Sequence, residues 1–290
     1  MKPGQRSRTA DGAAALRASH TLYARPAVFS DPYALELTSP GWRRIVGNRL
    51  LHHMVIGRLF KRLSPLTAQI VGRSRYAEDC LADALRRGVK QYVIVGAGLD
   101  SFALRRRDLE QSLRVYEVDH PDTQHAKREQ LAARGVSLPS NLEFVAVNFE
   151  TEDIAAALRR SSYQAQQPAF YSWLGTTHYL RNEATLATLA AIAGFAADGS
   201  EIVFDYSLPS ELLPPHLSRG AERLRRSTAR QGEPLIGGID PERLRRELPP
   251  MGYTIVEDLS GQEQEQRYFA GRSDGLRPSG ASRFMHLRLR

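Results

Sequence analysis

The sequence predicts an α/β fold in which a mostly parallel sheet carries helices on both faces. Short apolar runs alternate with helical stretches from residue 91 onward, and this spacing is typical of βαβ units. The first run, Gln91–Val95, contains YVIV, as expected for a strand that is buried on both faces. A chain of 290 residues, 42% hydrophobic and 25% charged, is long enough to bury one such core.

Seven strands are predicted, five in alternation with helices and two nearer the carboxyl terminus. The strands are Gln91–Val95, Arg114–Val118, Leu142–Val147, Ala169–Trp173, Glu201–Tyr206, Thr254–Glu257 and Phe284–Arg290. The helices that accompany them are predicted over about 101–111, 121–133, 151–160, 183–196 and 241–248. Because crossovers between parallel strands are right-handed, a ligand is expected beyond the carboxyl ends of these strands.

A helical cap is predicted ahead of the sheet, over residues 1–64 and within the same domain. Its helices run from 13 to about 60, and they are interrupted by Pro26, Pro32, Pro40 and Gly41. A longer helix covers 66–87 and ends before Gly88.

The remaining chain, 65–290, is predicted to form the ligand-binding part of the domain. After the fifth strand, the polar and arginine-rich segment at about 208–240 is expected to be a helical insertion that acts as a lid. The segment 260–282 is rich in Gly, Ser, Gln and Arg and is expected to be a long loop.

The formal net charge of +8 permits nucleic acid, an anionic surface or an acidic small molecule as the partner. Part of it lies in two arginine runs, Arg105–Arg107 and Arg223–Arg226. A solvated arginine-rich surface explains such runs equally well. Aromatic residues do not interleave with the basic ones as a base-stacking platform requires. We therefore expect a small-molecule partner and no nucleic acid, and the sequence leaves the oligomeric state open.

Several other classes of protein are disfavoured by the sequence. Cys80 is the single cysteine, which excludes an internal disulfide and a thiolate zinc cluster, and it is expected to be a small core residue. No apolar run approaches 18 residues, and the first dozen residues lack the apolar centre of a signal peptide. We expect no membrane span, cytoplasmic residence, and no metal, since His, Asp and Glu show no ligand spacing.

A glycine turn follows the first strand, in the order Val95-Gly96-Ala97-Gly98-Leu99-Asp100. Glycine lets a ligand approach the backbone closely, and the next helix offers free N–H groups at its start. A tight strand-to-helix turn with no ligand accounts for this motif just as well.

Two acids near the end of the second strand, Glu117 and Asp119, indicate a nucleoside ligand. An acid about 20 residues after such glycines can accept hydrogen bonds from ribose hydroxyls, although either acid could instead cap the next helix. A dinucleotide site would need a third glycine near Ser101, to admit the pyrophosphate. S-adenosylmethionine (SAM) has no phosphate, so the pattern favours SAM over NAD and makes an NAD oxidoreductase a distant alternative.

Ordered motifs over about residues 7–206 give the chain a family resemblance. They are SRTA at Ser7–Ala10, DPYA at Asp31–Ala34, QYVIVGAGLD at Gln91–Asp100, EVDHP at Glu117–Pro121 and WLGTTHYL at Trp173–Leu180. Together they resemble the leucine carboxyl methyltransferase family, in particular its bacterial branch with polyketide O-methyltransferases. The resemblance implies a Rossmann-like class I methyltransferase fold, with SAM as methyl donor and S-adenosylhomocysteine as product.

The resemblance also implies roles for individual residues. Arg73, in GRSRY, matches the arginine that binds the SAM carboxylate, with Arg75 as a competitor; a planar guanidinium suits that contact. Arg17, in ALRASH, matches a basic residue close to SAM. The turn residues Gly96, Ala97 and Gly98 would line the methionine part, and Asp119 would bind the ribose, with Glu117 second.

Two departures from the family pattern affect the expected site. Asn148 and Phe149 follow the third strand where an acid normally faces adenine, although the Asn carbonyl remains an acceptor. Leu174 stands where many relatives have an acid. His178 is then the candidate base, with a structural histidine as an equal alternative, and Tyr179 is the second candidate catalytic residue.

These residues lead us to expect an O-methyltransferase that acts on a small acidic or phenolic metabolite. In-line methyl transfer depends mainly on positioning. A carboxylate acceptor needs no base, whereas a phenol or alcohol would use one such as His178. A non-catalytic SAM-binding protein remains an alternative because of Asn148 and Leu174. A nucleic-acid methyltransferase is less favoured, since WLGTTHYL replaces the Asn/Asp-Pro-Pro-aromatic turn typical of that class.

Overall fold

The sheet has seven strands in the order β3-β2-β1-β4-β5-β7-β6. The computed structural model describes residues 8–149, 151–230, 232 and 234–290. In chain order the strands are β1 (Gln91–Val95), β2 (Arg114–Asp119), β3 (Leu142–Ala146), β4 (Phe170–Trp173), β5 (Glu201–Ser207), β6 (Tyr253–Leu259) and β7 (Ser282–Leu289). The first five are parallel, and β7 lies antiparallel between β5 and β6. The predicted mostly parallel sheet of seven strands is confirmed.

Helices cover both faces of this sheet, as predicted. They are α1 (Arg8–Tyr23), α2 (Ala34–Leu37), α3 (Pro40–Gly47), α4 (Arg49–His52), α5 (Arg58–Arg86), α6 (Phe102–Arg105), α7 (Pro121–Ala132), α8 (Ile154–Arg159), α9 (Asn182–Ala193), α10 (Pro215–Arg230), α11 (Pro241–Glu247) and α12 (Gly261–Gln264). Along β1 the side chains alternate between two apolar layers. Val93 and Val95 join the layer of α8, α9 and α11, and Tyr92 and Ile94 join the layer of α5.

The first helix and the long helix before the sheet both begin earlier than predicted. α1 starts at Arg8 instead of residue 13, and Ser7 of the SRTA motif lies outside the described residues. α5 runs without interruption through Pro65, across the expected boundary at residue 64. Proline removes one helical hydrogen bond. Burial of Ala68, Val71 and Tyr76 on the same helix explains why α5 continues.

Two local predictions were wrong. The expected helix over 101–111 is divided into α6 and a 3-10 turn at Arg107–Leu109, because Arg106 leaves helical geometry between them. The expected loop over 260–282 begins with α12 and a π-helical turn at Glu265–Phe269. α12 starts with a capping box in which Ser260 and Glu263 satisfy each other's backbone N–H groups.

Helices α1 and α2 pack on the segment that follows β1. Ala14 of α1 and Leu37 of α2 share a buried cluster with Leu99, Leu104 and Leu131. This contact places α1 beside the carboxyl end of β1, which is where the sequence predicts a ligand.

Cys80 lies on α5, half-buried against one apolar layer of the sheet, and burial raises the pKa of its thiol to about 12. Within the described part of the chain, no helix combines the length and apolarity needed to cross a bilayer. The same residues hold no group of three His, Cys, Asp or Glu side chains suited to a metal ion.

Candidate active site

The turn after β1 is held against the end of β2 by backbone hydrogen bonds. Gly96 and Gly98 have φ angles of 65° and 53°, which non-glycine residues rarely adopt. The amides of Gly96 and Ala97 both donate to the carbonyl of Val118, at 2.8 and 3.2 Å. The Gly98 amide donates to the carboxylate of Asp119. The turn and the acid predicted from the sequence therefore form one unit.

Two other segments close on this turn. A Cβ atom at Gly96 would lie 2.6 Å from Cγ2 of Thr176, in the turn that follows β4. A Cβ atom at Gly98 would lie 3.6 Å from Cβ of Ala10 on α1. The glycine turn therefore lies between the cap and the β4 turn, and Gly96 has no room for a side chain.

Asp119, at the end of β2, is the acid that faces the glycine turn. Its Oδ1 also accepts the amide of His120 at 2.6 Å. Burial raises the pKa of Asp119 above its usual value, and the Gly98 and His120 amides oppose that shift. A carboxylate has about four acceptor positions, so two amides leave capacity for a pair of ribose hydroxyls.

Glu117 is engaged elsewhere. Its carboxylate is buried and accepts from Nζ of Lys127 on α7 at 2.6 Å, and the same ammonium donates to the carbonyl of Asp100. Burial raises the pKa of Glu117 to about 7, although Lys127 lowers it. The structure thus brings Asp119 to the glycine turn and pairs Glu117 with α7.

Arg73 enters the site from α5, whereas Arg75 does not. Nη1 of Arg73 donates to Oδ2 of Asp205 at 3.1 Å, and a Cβ atom at Gly175 would collide with its guanidinium. Arg75 is exposed and pairs with Asp79 on its own helix at 2.8 Å. Of the two candidates, Arg73 is therefore the arginine next to the β4 turn.

His178 lies in a 3-10 turn at Thr177–Tyr179, and its ring is buried. Nε2 of the ring lies 2.9 Å from Oδ2 of Asp205, and Nδ1 lies 2.9 Å from Oγ of Ser207. Tyr179 is half-buried in the same turn, and its amide donates to the carbonyl of Thr176. The structure therefore brings His178 together with Arg73, through a shared carboxylate.

Three residues that contact the His178 ring were not named in the sequence analysis: Gln69, Asp205 and Ser207. Asp205 is an acid inside the apolar run IVFDY near the carboxyl end of β5, and that position was the available signal. Gln69 and Arg73 are four residues apart on α5, so they share a face of the helix. Nε2 of Gln69 reaches Oδ2 of Asp205 at 3.3 Å.

Arg17 lies on the cap side of the glycine turn. Its Nη2 donates to the carbonyl of Leu99 at 2.6 Å, and its Nε pairs with Asp31 at 2.9 Å. Arg17 therefore joins α1, the DPYA motif and the segment that follows the glycine turn. Its guanidinium already has two protein partners beside the predicted ligand site.

Asn148 and Phe149 come directly after the residue that ends the β3 pairing. The amide of Val147 donates to the main-chain carbonyl of Asp119, so the turn begins beside Asp119. The main-chain carbonyl of Asn148 accepts hydrogen bonds from the amides of Thr151 and Glu152. The Phe149 side chain is 47% exposed. An exposed aromatic ring at this edge is available to cover a flat ligand.

Two features of the site fit a bound SAM molecule. Gly96 and Gly98 carry no side chains, which lets a ligand approach the backbone of the turn closely. The buried hydroxyl oxygen of Thr176 has no hydrogen-bond partner among the described residues. A buried polar atom without a partner is costly unless a ligand or water satisfies it.

Solved structures of similar fold include proteins described as methyltransferases. A DUF574 family protein from Streptomyces avermitilis matches with a TM-score of 0.61 and 15% identity, covering 95% of this chain and 97% of its own. A Thermobifida fusca protein described as a provisional methyltransferase has a TM-score of 0.60 and 16% identity. The match covers 100% of this chain and 97% of its own. Magnesium protoporphyrin IX methyltransferase from Synechocystis, solved with S-adenosylhomocysteine, has a TM-score of 0.50 and 14% identity. The match covers 86% of this chain and 92% of its own. The fold is that of the Rossmann-like methyltransferases.

The sequence relatives identify the family. The leucine carboxyl methyltransferase profile matches residues 10–193, which is more than half of the chain. YktD of Bacillus subtilis (strain 168), named as a provisional SAM-dependent methyltransferase, is 29% identical over 99% of both chains. A Mycolicibacterium paratuberculosis protein with the same kind of name is 32% identical over 77% of this chain and 70% of its own. The protein belongs to the leucine carboxyl methyltransferase family and is a SAM-dependent methyltransferase.

Proposed function

We propose that this enzyme is an O-methyltransferase whose acceptor is a small acidic or phenolic metabolite. The observation that carries the proposal is the position of His178. Its ring lies at the carboxyl ends of β4 and β5, hydrogen-bonded to Asp205, which also holds Arg73 next to the glycine turn. A titratable group beside the cofactor turn is what deprotonation of a hydroxyl acceptor requires.

The residues proposed to hold SAM surround the glycine turn. Gly96, Ala97 and Gly98 would line the methionine part, Asp119 would bind the ribose hydroxyls, and Arg73 would pair with the carboxylate. Arg17 would support the turn from the cap, and Asn148 with Phe149 would lie against adenine. Glu117 would act indirectly, through Lys127 and the Asp100 carbonyl that Lys127 holds.

When bound, SAM supplies an electrophilic methyl group on a sulfonium. The protein positions the acceptor oxygen and excludes water, which accounts for most of the rate in such a displacement. For a phenol or alcohol, His178 would take up the hydroxyl proton, and Tyr179 would help to orient the acceptor. For a carboxylate the oxygen is already ionised, so His178 would contribute only a polar contact.

We also propose that residues 1–64 act as a cap, and 208–240 as a lid, on one SAM-binding domain. The support comes from contacts with the His178 turn. The Gly237 amide donates to the carbonyl of His178 at 2.9 Å, and the Ile239 amide donates to that of Ser207 at 2.9 Å. Arg225 of α10 donates to Ser210 at 3.0 Å, which ties the helix to this segment. A polyketide-type acceptor, cytoplasmic residence and the absence of nucleic-acid partners remain predictions.

Methyl transfer from labelled SAM to panels of carboxylic acids, phenols and amines tests the proposal. Alkali releases the label from a methyl ester as methanol, whereas an aryl methyl ether retains it. We expect transfer to oxygen and product of one of these two kinds. Transfer to nitrogen alone across the panels would contradict the proposal.

A further inference from the structure

Asp205 is the most heavily engaged carboxylate near the site. It is buried at the carboxyl end of β5. Its Oδ1 accepts the Gly175 amide at 2.6 Å. Its Oδ2 faces Nη1 of Arg73 at 3.1 Å, Nε2 of His178 at 2.9 Å and Nε2 of Gln69 at 3.3 Å. One carboxylate therefore joins the helix α5, the β4 turn and the candidate base.

The charge state of Asp205 determines which nitrogen of His178 carries hydrogen. Burial alone would raise the pKa of Asp205, but Arg73, His178 and the Gly175 amide together hold it well below its usual range. An ionised carboxylate only accepts hydrogen bonds, so Nε2 of His178 donates to Asp205. The side-chain nitrogen of Gln69, 3.1 Å from the same Nε2, then donates to Asp205 and not to the ring. In the neutral ring Nδ1 is then the basic nitrogen, and it accepts from the Ser207 hydroxyl at 2.9 Å.

Arg73 is oriented by the same carboxylate. Nη1 is fixed on Asp205, and the guanidinium lies against Gly175, where a Cβ atom would collide with it. A guanidinium has five N–H donors, so one contact with Asp205 leaves others for a second anion. Gly175 adjoins Thr176, the residue against which Gly96 packs.

We propose that Asp205 is a shared positioning residue that serves both halves of the reaction. It holds Arg73 at the cofactor turn, and it fixes His178 with hydrogen on Nε2, so that basic Nδ1 faces Ser207. The cofactor half of this inference rests on the proposed role of Arg73. The histidine half is independent of any ligand.

The other end of β5 offers a matched control. Glu201 is buried like Asp205 and also pairs with an arginine and a histidine. Its Oε1 accepts from Nε of Arg87 at 3.0 Å, and its Oε2 lies 2.7 Å from Nε2 of His286. Glu201→Gln therefore removes an equally buried charge from the same strand without touching Arg73 or His178.

The tautomer of His178 is measured first, on the full chain with ¹⁵N-labelled histidine and no ligand. Long-range proton–nitrogen correlation spectra show which ring nitrogen carries hydrogen, and His178→Gln identifies the signal. We expect hydrogen on Nε2 in the wild type and in Glu201→Gln, and a mixture of both tautomers in Asp205→Asn. Hydrogen on Nδ1 in the wild type would overturn the proposal without recourse to any variant.

Calorimetric titration with S-adenosylhomocysteine measures the second half. Because hydrogen bonds between charged groups are the stronger ones, we expect about tenfold or more loss of affinity in Asp205→Asn and in Arg73→Lys. Glu201→Gln, which shares no partner with Arg73, should stay within about twofold of the wild type. Arg73→Lys should keep the wild-type tautomer of His178.

The two measurements separate the possible failures. If Asp205→Asn and Arg73→Lys bind S-adenosylhomocysteine as tightly as the wild type does, the shared role is overturned. The methyltransferase proposal would stay intact. No wild-type binding would overturn the proposed cofactor site together with this inference. A changed tautomer with unchanged binding in Asp205→Asn would also overturn it, since both effects must occur together.

Discussion

At the scale of the residue, the proposed role of His178 as a base distinguishes hydroxyl acceptors from carboxylate acceptors. Both of its ring nitrogens have partners, Asp205 on one side and Ser207 on the other. A proton taken from an acceptor hydroxyl must therefore enter this chain of hydrogen bonds. A carboxylate acceptor delivers no proton to it.

Replacing His178 by Gln should separate the two classes of acceptor. We expect kcat to fall about 10²- to 10⁴-fold with a hydroxyl acceptor, the usual range for loss of a general base. With a carboxylate acceptor the fall should be less than about tenfold. Label transfer under saturating SAM measures both. An unchanged kcat with a hydroxyl acceptor would remove His178 from the proposed mechanism.

The sequence predicted individual residues of this site unequally. His178, Arg73 and Asp119 were found because each stands in a motif or beside the glycine turn. Asp205 was missed because its role depends on a contact between residues 132 positions apart, and spacing along the chain does not show such a pair. Glu117 is buried and hydrogen-bonded to Lys127, and this contact is likewise not visible from spacing along the chain.

At the scale of the element, the glycine turn joins β1, β2, α1 and the β4 turn. Its positive φ angles and its contact with Thr176 are separate constraints. The positive φ angles disfavour any residue with a Cβ atom at either glycine. The contact with Thr176 disfavours a Cβ atom only at Gly96.

Gly96→Ala and Gly135→Ala separate these two constraints. Gly135 has a φ angle of 66°, nearly that of Gly96, but a Cβ atom there would meet nothing within 4 Å. Both variants should lose about 1 kcal/mol of unfolding free energy from backbone strain, and Gly96→Ala should lose more because its Cβ atom would clash with Thr176. We expect only Gly96→Ala to lose affinity for S-adenosylhomocysteine, by about tenfold or more, in calorimetric titration. Equal affinity in both variants would contradict the close approach at Gly96.

Elements were predicted well where one local pattern dominates. The strands came from apolar runs, and α7 from Pro121 at its first turn. The prediction began α5 at residue 66, whereas the helix starts at Arg58 and continues through Pro65 because its buried face stabilises it. α12 was missed although Ser260 and Glu263 form a capping box, because the surrounding residues are typical of loops.

At the scale of the whole molecule, the cap is joined to both the glycine turn and the carboxyl-terminal region. His20 of α1 is buried and accepts the Val28 amide on Nε2 at 2.9 Å. Arg272 donates to the carbonyl of Pro26 at 2.7 Å. Burial, with the nearby charge of Arg272, lowers the pKa of His20 from 6.5 to about 4.

This histidine should make the fold sensitive to acid. Between pH 6.5 and 4 the unfolded chain binds a proton at His20 that the folded chain does not, so stability falls as the pH falls through that window. We expect about 2 kcal/mol of loss from this residue. Urea unfolding at a series of pH values should show the loss in the wild type and in His125→Gln, which changes an exposed histidine. If the unfolding free energies of the wild type and His20→Gln fall in parallel with pH, His20 does not contribute this acid sensitivity.

The central claim is that SAM binds at the glycine turn with its ribose on Asp119. Calorimetric titration of the wild type and Asp119→Asn with S-adenosylhomocysteine and NAD tests it most directly. We expect micromolar binding of S-adenosylhomocysteine, no comparable binding of NAD, and about a tenfold or greater loss in Asp119→Asn, the range for hydrogen bonds to a charged group. Equal affinity in the variant, or preference for NAD, would contradict the account.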